Sequence, residues 1–380
     1  MNRVIIADTL PWTNSFRVGS HNYAECFLRR HYQVLYLPSY FHALTYFTER
    51  GRWKECRDRW KKGIYQVAPN LFTRSVFSYL PYRRKWMLDT PAVAKISLHA
   101  TVPYLPFELQ ENGWSDVAVL WISNLQFFPL LKIIAAKKRI YRVPDSMMHF
   151  SSIPRTYGKV EEMVLGSFDA VITANRNSYE YFASKHGNVL YVPNGVDIER
   201  FEREGRRLTP PEEYLHDARP KVVYIGAFEE WFDWDLLRAV ASQLRDVRFI
   251  LIGRGNHLDN DCLELPNVDF LGEKSRDDLV PYLAYANAGI IPFKLTPLTH
   301  SINPLKLYEY SAAGLPTVAT PMAEIMADGS PALIAGSAQE FVRKIALAIT
   351  ASLPREDLRA YAKNNTWEVR FKYIQERILN

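Results

Sequence analysis

Ser301–Ala319 reads SINPLKLYEYSAAGLPTVA, and this stretch decides the fold. Its pattern predicts loop, helix, turn and strand in that order. Asn303 has the side chain of an N-cap, and Pro304 suits the first helical position. Gly314 suits the residue just past the helix, and Pro316 stops it from continuing. Lys306 falls in the first turn and Glu309 three residues on, so both share one helix face. The first turn also carries unpaired backbone N–H groups and the positive end of the helix dipole, which together attract phosphate. A lysine at that place adds a diphosphate ligand. A glutamate one turn deeper accepts hydrogen bonds from a pair of ribose hydroxyls. The pattern therefore meets the needs of a nucleotide-diphosphate site. It equally fits an amphipathic helix with a surface Lys–Glu pair.

Outward from this helix, short β-rich runs alternate with helical patterns, the mark of a doubly wound α/β fold. The first half offers strands at Val4–Ala7, Gln33–Leu37, Val117–Ile122, Arg139–Val143, Ala170–Thr173 and Val189–Val192. The second half offers Lys221–Ile225, Arg248–Ile252, Val268–Leu271, Gly289–Pro292, Thr317–Ala319 and Ala332–Ile334. Between them, Phe201–Pro220 is charged, contains Pro210 and Pro211, and has no apolar period, so it reads as a linker. The expected architecture is two Rossmann-like domains, residues 1–200 and 201–365, with a cleft between them. A C-terminal helix over 366–380 is expected to pack back on the first domain. Ligands of open parallel sheets bind at the carboxyl edges of the strands.

A chain of 380 residues suits two cores. Its three cysteines, Cys26, Cys56 and Cys262, lack metal spacing and cannot all pair, which fits a reduced cytosolic compartment. The N-terminus enters a short apolar strand with no signal-peptide pattern. The most apolar long window, Val117–Ala136, is interrupted by polar residues and Pro129, which favours strand and loop over a membrane span. The net charge of +6 is unevenly spread: residues 1–100 hold sixteen Lys and Arg against six Asp and Glu. The excess peaks at Arg50–Lys62 and recurs at Arg83–Lys85, with Tyr46, Phe47, Trp53, Trp60, Tyr82 and Trp86 interleaved. Basic residues mixed with aromatics suit an anionic membrane–water interface. They also suit nucleic acid, or a solvated helix whose aromatics turn inward. The membrane surface is the partner adopted, without nucleic acid.

Four segments resemble nucleotide-sugar glycosyltransferases of the two-Rossmann-domain (GT-B) type. They are Val189–Phe201, Val222–Leu237, the strands of Phe249–Gly255 and Val268–Phe293 taken together, and Asn303–Ala319. The resemblance is good from Val189 to about Ile325 and weak in the first half. Within that group the chain is similar to bacterial exopolysaccharide and teichuronic-acid enzymes, and to the xanthan β-glucuronosyltransferase type through Tyr141-Arg142-Val143-Pro144-Asp145 and Lys306. The resemblance implies transfer of a sugar, glucuronate or another hexose, from a UDP-sugar to a lipid-linked or polysaccharide acceptor at the cytoplasmic face of the cell membrane. The sequence shows no metal triad, so no metal and no further cofactor are expected. Two features depart from the common retaining pattern. The loop Gly226–Asp233 has no basic residue, and Ser301 stands where the first of two glutamates belongs.

The candidate base is Asp145, which follows a β-run in a Pro-initiated turn, where catalytic residues of α/β sheets sit. One carboxylate within reach of an acceptor hydroxyl suffices for inverting transfer. The same aspartate fits an Asx-turn capping the next helix. Asp8, His21 and His149 are alternative bases. His149 is also placed with Arg17 and Gly19 on the acceptor and sugar side. On the donor side, Gly226 lets the backbone pass close to the nucleotide. Phe228 and Trp231 are available to stack on a base or to pack. Arg254 follows its strand as a phosphate neutraliser, and Glu273 follows the next strand near where a uracil would dock. Retaining transfer, and a non-catalytic nucleotide-sugar-binding role, are the other readings the sequence allows.

Overall fold

The structure, a computed structural model, describes residues 2–14, 17–143, 153–204, 209–215, 217–255, 257–350 and 354–380. Asp145 and His149 lie outside these residues. The chain divides into two compact units, Met1–Val192 with Phe371–Asn380, and Pro193–Arg370.

In the first unit the strands are β1 (Arg3–Ala7), β2 (Gln33–Leu37), β3 (Tyr65–Ala68), β4 (Leu71–Thr73), β5 (Phe77–Ser78), β6 (Thr101–Val102), β7 (Asp116–Ile122), β8 (Ala135–Val143), β9 (Ala170–Thr173) and β10 (Val189–Tyr191). Eight of them form one sheet in the order β10-β9-β8-β7-β1-β2-β4-β3, and β5 and β6 make a separate pair. Every neighbour in the large sheet is parallel except β3 and β4. Central strands are apolar and buried along nearly their whole length, as at Ala170–Thr173, because helices cover both faces. Helix α1 (Gly19–Arg29) supplies one cover, with Tyr23 and Phe27 packed on Trp121 at ring separations of 5.0 and 6.2 Å. Phe371 closes on Phe27 at 4.7 Å and carries the Arg30 guanidinium on its face. Two further helices, α2 (Ala43–Thr48) and α3 (Arg50–Trp60), follow β2.

In the second unit β11 (Lys221–Ile225), β12 (Arg248–Ile252), β13 (Val268–Phe270), β14 (Ala288–Ile291), β15 (Thr317–Ala319) and β16 (Leu333–Ile334) form one parallel sheet ordered β13-β12-β11-β14-β15-β16. The order reverses at β11, between β12 and β14. A reversal of this kind is where open α/β sheets hold ligands.

The expected linker is corrected by the structure. Ile198–Glu204 and Glu212–Leu215 are helices, and Phe201 and Tyr214 are buried in the core of the second unit. Tyr214 also donates its hydroxyl to the Tyr282 carbonyl at 3.2 Å. Charged neighbours hid two buried aromatics. The boundary falls at Val192 rather than at residue 200, because Val196 is bridged to Thr366 through the Asn365 carbonyl and the Trp367 N–H. For the same reason residues up to Arg370 stay with the second unit instead of leaving it at 365.

Candidate functional site

The donor helix runs Leu305–Ala313 and ends at Gly314, whose φ of 70° is left-handed. Asn303 does not cap it. Pro304 itself holds the cap position, with no side-chain cap hydrogen bond. Asn303 instead accepts at Oδ1 from the Asn194 backbone N–H (3.0 Å) and the Tyr308 hydroxyl (3.1 Å). Its carbonyl accepts from Asn194 Nδ2 at 2.8 Å. The segment leading into the helix is thereby tied to the Pro193-Asn194-Gly195 loop, and within the first turn the Leu307 N–H donates to the Pro304 carbonyl at 3.1 Å.

Lys306 folds back from this first turn over the sheet. Its ammonium lies 5.0 Å from the centroid of Tyr224 and 5.3 Å from that of Phe293. A Cβ built on Gly226, whose φ is +155°, would stand 2.5 Å from both Cε and Nζ of Lys306. Only glycine leaves room for the lysine there and accepts that backbone conformation. Among the described residues no carboxylate comes within 4.0 Å of Nζ. Burial pushes the Lys306 ammonium down to about 8, with Glu309 on the same helix pulling the other way. The result is a half-buried cation resting on two aromatic faces at the positive end of the helix dipole.

The loops after β11, β12 and β13 are knit together by backbone. Gly226 N–H donates to the Ile252 carbonyl (2.9 Å), Phe228 N–H to Arg254 (2.9 Å) and Gly253 N–H to Gly272 (2.8 Å). At Gly253, with φ +145°, a Cβ would be 1.8 Å from the Gly226 oxygen. Arg254 and Glu273 stand on adjacent loops, largely exposed and 4.0 Å apart. Phe228 corrects the sequence reading. Its ring is fully buried among Tyr224, Phe232, Trp234 and Phe270 at 5.0–5.5 Å, so it packs and does not stack on a base.

In the first unit, Asp8 ends β1, is buried, and accepts from the Leu10 N–H at 3.4 Å. His21 accepts at Nδ1 from the Val18 N–H (3.2 Å), and its Nε2 lies 3.1 Å from the Pro11 carbonyl. A carbonyl only accepts, so Nε2 carries the proton and the ring is a neutral strap between loop and helix. That removes His21 as a ready base. Arg17 lies 4.2 Å over the Trp12 ring and 3.8 Å from Glu25. A Cβ on Gly19 would be 2.5 Å from Arg142 Nη2, so this glycine makes room for a buried arginine at the end of β8. The neighbouring Tyr141 donates its hydroxyl to Glu161 at 2.5 Å, inside the core. Burial pushes Glu161 up to about 7, against the pull of that hydrogen bond.

Sequence reasoning gives no role to Tyr224, Phe293, Asn194 or Arg142. Arg142 enters it only as part of the Tyr141–Asp145 run, and Tyr224 sits two residues before the glycine of its loop.

Residues 219–351 match the family described as "Glycosyl transferases group 1". Over 288 residues the chain is 30% identical to a teichuronic acid biosynthesis glycosyltransferase, TuaH, of Bacillus subtilis, covering 68% of this chain and 67% of that protein. The fold is similar to that of a sucrose-phosphate synthase from Thermosynechococcus elongatus, with TM-score 0.71, 15% identity and coverage of 99% and 98%. It is also similar to HepE of Anabaena, solved with UDP and glucose, with TM-score 0.65, 14% identity and 99% of each chain covered.

Proposed function

The chain belongs to the group 1 glycosyltransferases of bacterial polysaccharide synthesis, on the GT-B fold, and from that premise we propose that it uses a UDP-sugar, glucuronate or another hexose, as donor. The acceptor would be a hydroxyl on a lipid-linked or polysaccharide chain. One observation carries the donor reading: Lys306, a half-buried ammonium set over the rings of Tyr224 and Phe293 at the start of the donor helix, with burial pushing it down to about 8. Such a cation is costly to bury unless an anion comes to it. A diphosphate supplies that anion. The UDP complexes of HepE support the choice of nucleotide by analogy.

In the proposed reaction the acceptor oxygen attacks the anomeric carbon and the bond from that carbon to the β-phosphate oxygen breaks. The hydroxyl proton passes to the Asp145 carboxylate. Lys306 and the first-turn N–H groups meet the charge that grows on the departing UDP. Glu309 holds the ribose, and Arg254 and Glu273 lie on the loops near the base. Transfer is then inverting. The retaining alternative lacks its first carboxylate, since Ser301 is buried and donates to the Pro297 carbonyl at 3.1 Å. We place the enzyme at the cytoplasmic face of the membrane on anionic lipid. No helix among the described residues is long and apolar enough to cross a membrane.

The test is calorimetric titration with UDP. A charge-assisted contact contributes about 1.5–3 kcal/mol, so Lys306→Ala weakens binding about tenfold or more with the fold intact. Unchanged UDP affinity in that variant contradicts the assignment.

A further inference from the structure

We propose that the α2–α3 hairpin is the element that docks this protein on an anionic bilayer, with Phe47 and Leu44 entering the headgroup layer. The proposal rests on the membrane reading above and names its site. Helix α3 has no buried residue at all, and α2 buries only Thr45. Helices on a soluble domain ordinarily earn their stability by burying one face. Here the inner face is only half buried: Trp60 donates its indole N–H to the Val102 carbonyl and packs on Phe77 at 6.3 Å, while the apolar side chains of α2 are left exposed. Phe47 is 76% exposed, Tyr46 42% and Leu44 36%.

The charge and ring geometry select the partner. From Glu49 to Lys62 there are seven Lys and Arg against three Asp and Glu. The Arg50 guanidinium covers the face of Tyr46 at 5.5 Å, and Arg57 covers that of Trp53 at 5.3 Å. Tyr46 meets both Phe47 and Trp53 edge-on, at 5.4 and 5.2 Å. Tyr46 and Trp53 thus each carry a cation on a ring face, and Phe47 is the ring left most exposed. What remains outward is an apolar wedge beside a cationic belt, the arrangement that suits the boundary between lipid headgroups and acyl chains. The hairpin is fastened at both ends. His42 Nε2 lies 3.1 Å from Arg83, and Arg59 donates to Thr13 Oγ1 at 3.0 Å. Arg84, Lys85 and Met87 are exposed beside Arg83 and extend the same surface.

Sedimentation with vesicles of phosphatidylcholine, with and without 30% phosphatidylglycerol, tests this. The wild type is expected to pellet with the anionic vesicles and to be released by high salt. Leu44→Ser with Phe47→Ser should lower its partition about tenfold. Arg50, Lys54, Arg57 and Lys61 all changed to Ser should reduce it to the level of neutral vesicles. Both variants should keep wild-type UDP affinity, which certifies their fold. Hydrogen exchange of the wild type with and without anionic vesicles asks the same question with no substitution, and protection is expected within residues 43–62. If the wild type fails to pellet, the membrane reading falls and this proposal with it. If it pellets but the variants behave as wild type and residues 43–62 gain no protection, the hairpin is rejected and the membrane reading stands. Displacement of anionic vesicles by an oligonucleotide, lost in the same variants, would make this a nucleic-acid surface and overturn the proposal.

Discussion

The two sheets present their carboxyl edges in different ways. In the second unit the loops after β11, β12 and β13 are held by backbone hydrogen bonds and glycine contacts, and the Lys306 ammonium faces the rings of Tyr224 and Phe293. In the first unit backbone bonds also join the loops, Asp8 N–H to the Leu37 carbonyl (2.9 Å) and Ser123 N–H to the Ala7 carbonyl (2.8 Å), but paired side chains fill the edge: Asp8 on a turn, His21 strapped to Pro11, Arg17 on Trp12 and Arg142 against Gly19. A backbone-built site suits a constant ligand, because it asks little of any one side chain. A site built from paired side chains is retuned by each substitution. The contrast fits a constant nucleotide on one side and a changeable acceptor on the other.

The division of labour predicts separable losses. The largest is expected for Asp145→Asn, which should lower turnover about 100-fold or more, as loss of a general base does, and leave UDP affinity alone. Near wild-type transfer in that variant passes the role to Asp8 or His149. Gly226→Ala tests the other side. A methyl 2.5 Å from Lys306 Nζ must displace the lysine, so UDP binding should weaken about tenfold while acceptor affinity holds. Intact UDP binding there would show that Lys306 does not need its berth.

Much of this was legible in the sequence. Gln33–Leu37, Ala170–Thr173, Lys221–Ile225, Arg248–Ile252 and Thr317–Ala319 are strands with the very ends the pattern predicts, because buried parallel strands are unbroken apolar runs. The antiparallel β3 and β4 were not visible. They are four and three residues long, joined at Pro69–Asn70 with Asn70 at φ 62°, and lie between the two basic aromatic stretches. Window Val117–Ala136 concealed a 3₁₀ segment, Leu125–Lys132, with Pro129 inside it. Lys306 and Glu309 were readable as a face of one helix. The aromatic rings beneath Lys306 were not, since Tyr224 comes from β11, far away in sequence, and Phe293 from the segment just past β14. Phe228 misled for a related reason, as nothing in its local sequence says which way its ring turns.

A smaller effect concerns the core of the first unit. Glu161, with burial pushing it up to about 7, favours folding while protonated; that stability is present at pH 4.5 and is lost as pH rises through 7. Glu161→Gln keeps an acceptor for Tyr141 and removes the charge. The melting temperature of the wild type should fall by a few degrees between pH 5.5 and 8, with the variant changing less. Parallel curves for the two proteins would show that Glu161 is ionised at little cost.

The most direct measurement of the central claim is the UDP affinity of the wild type between pH 7 and 9.5, by calorimetry in buffers of different ionisation enthalpy. Lys306 has its ammonium pushed down to about 8, and a bound diphosphate stabilises the protonated form. Binding should therefore take up protons, and affinity should fall as pH rises through 8, at no more than about tenfold per pH unit. Lys306→Ala should bind weakly with no such dependence. A wild-type affinity that is flat to pH 9.5, with no proton uptake, would contradict the claim that this lysine holds the diphosphate.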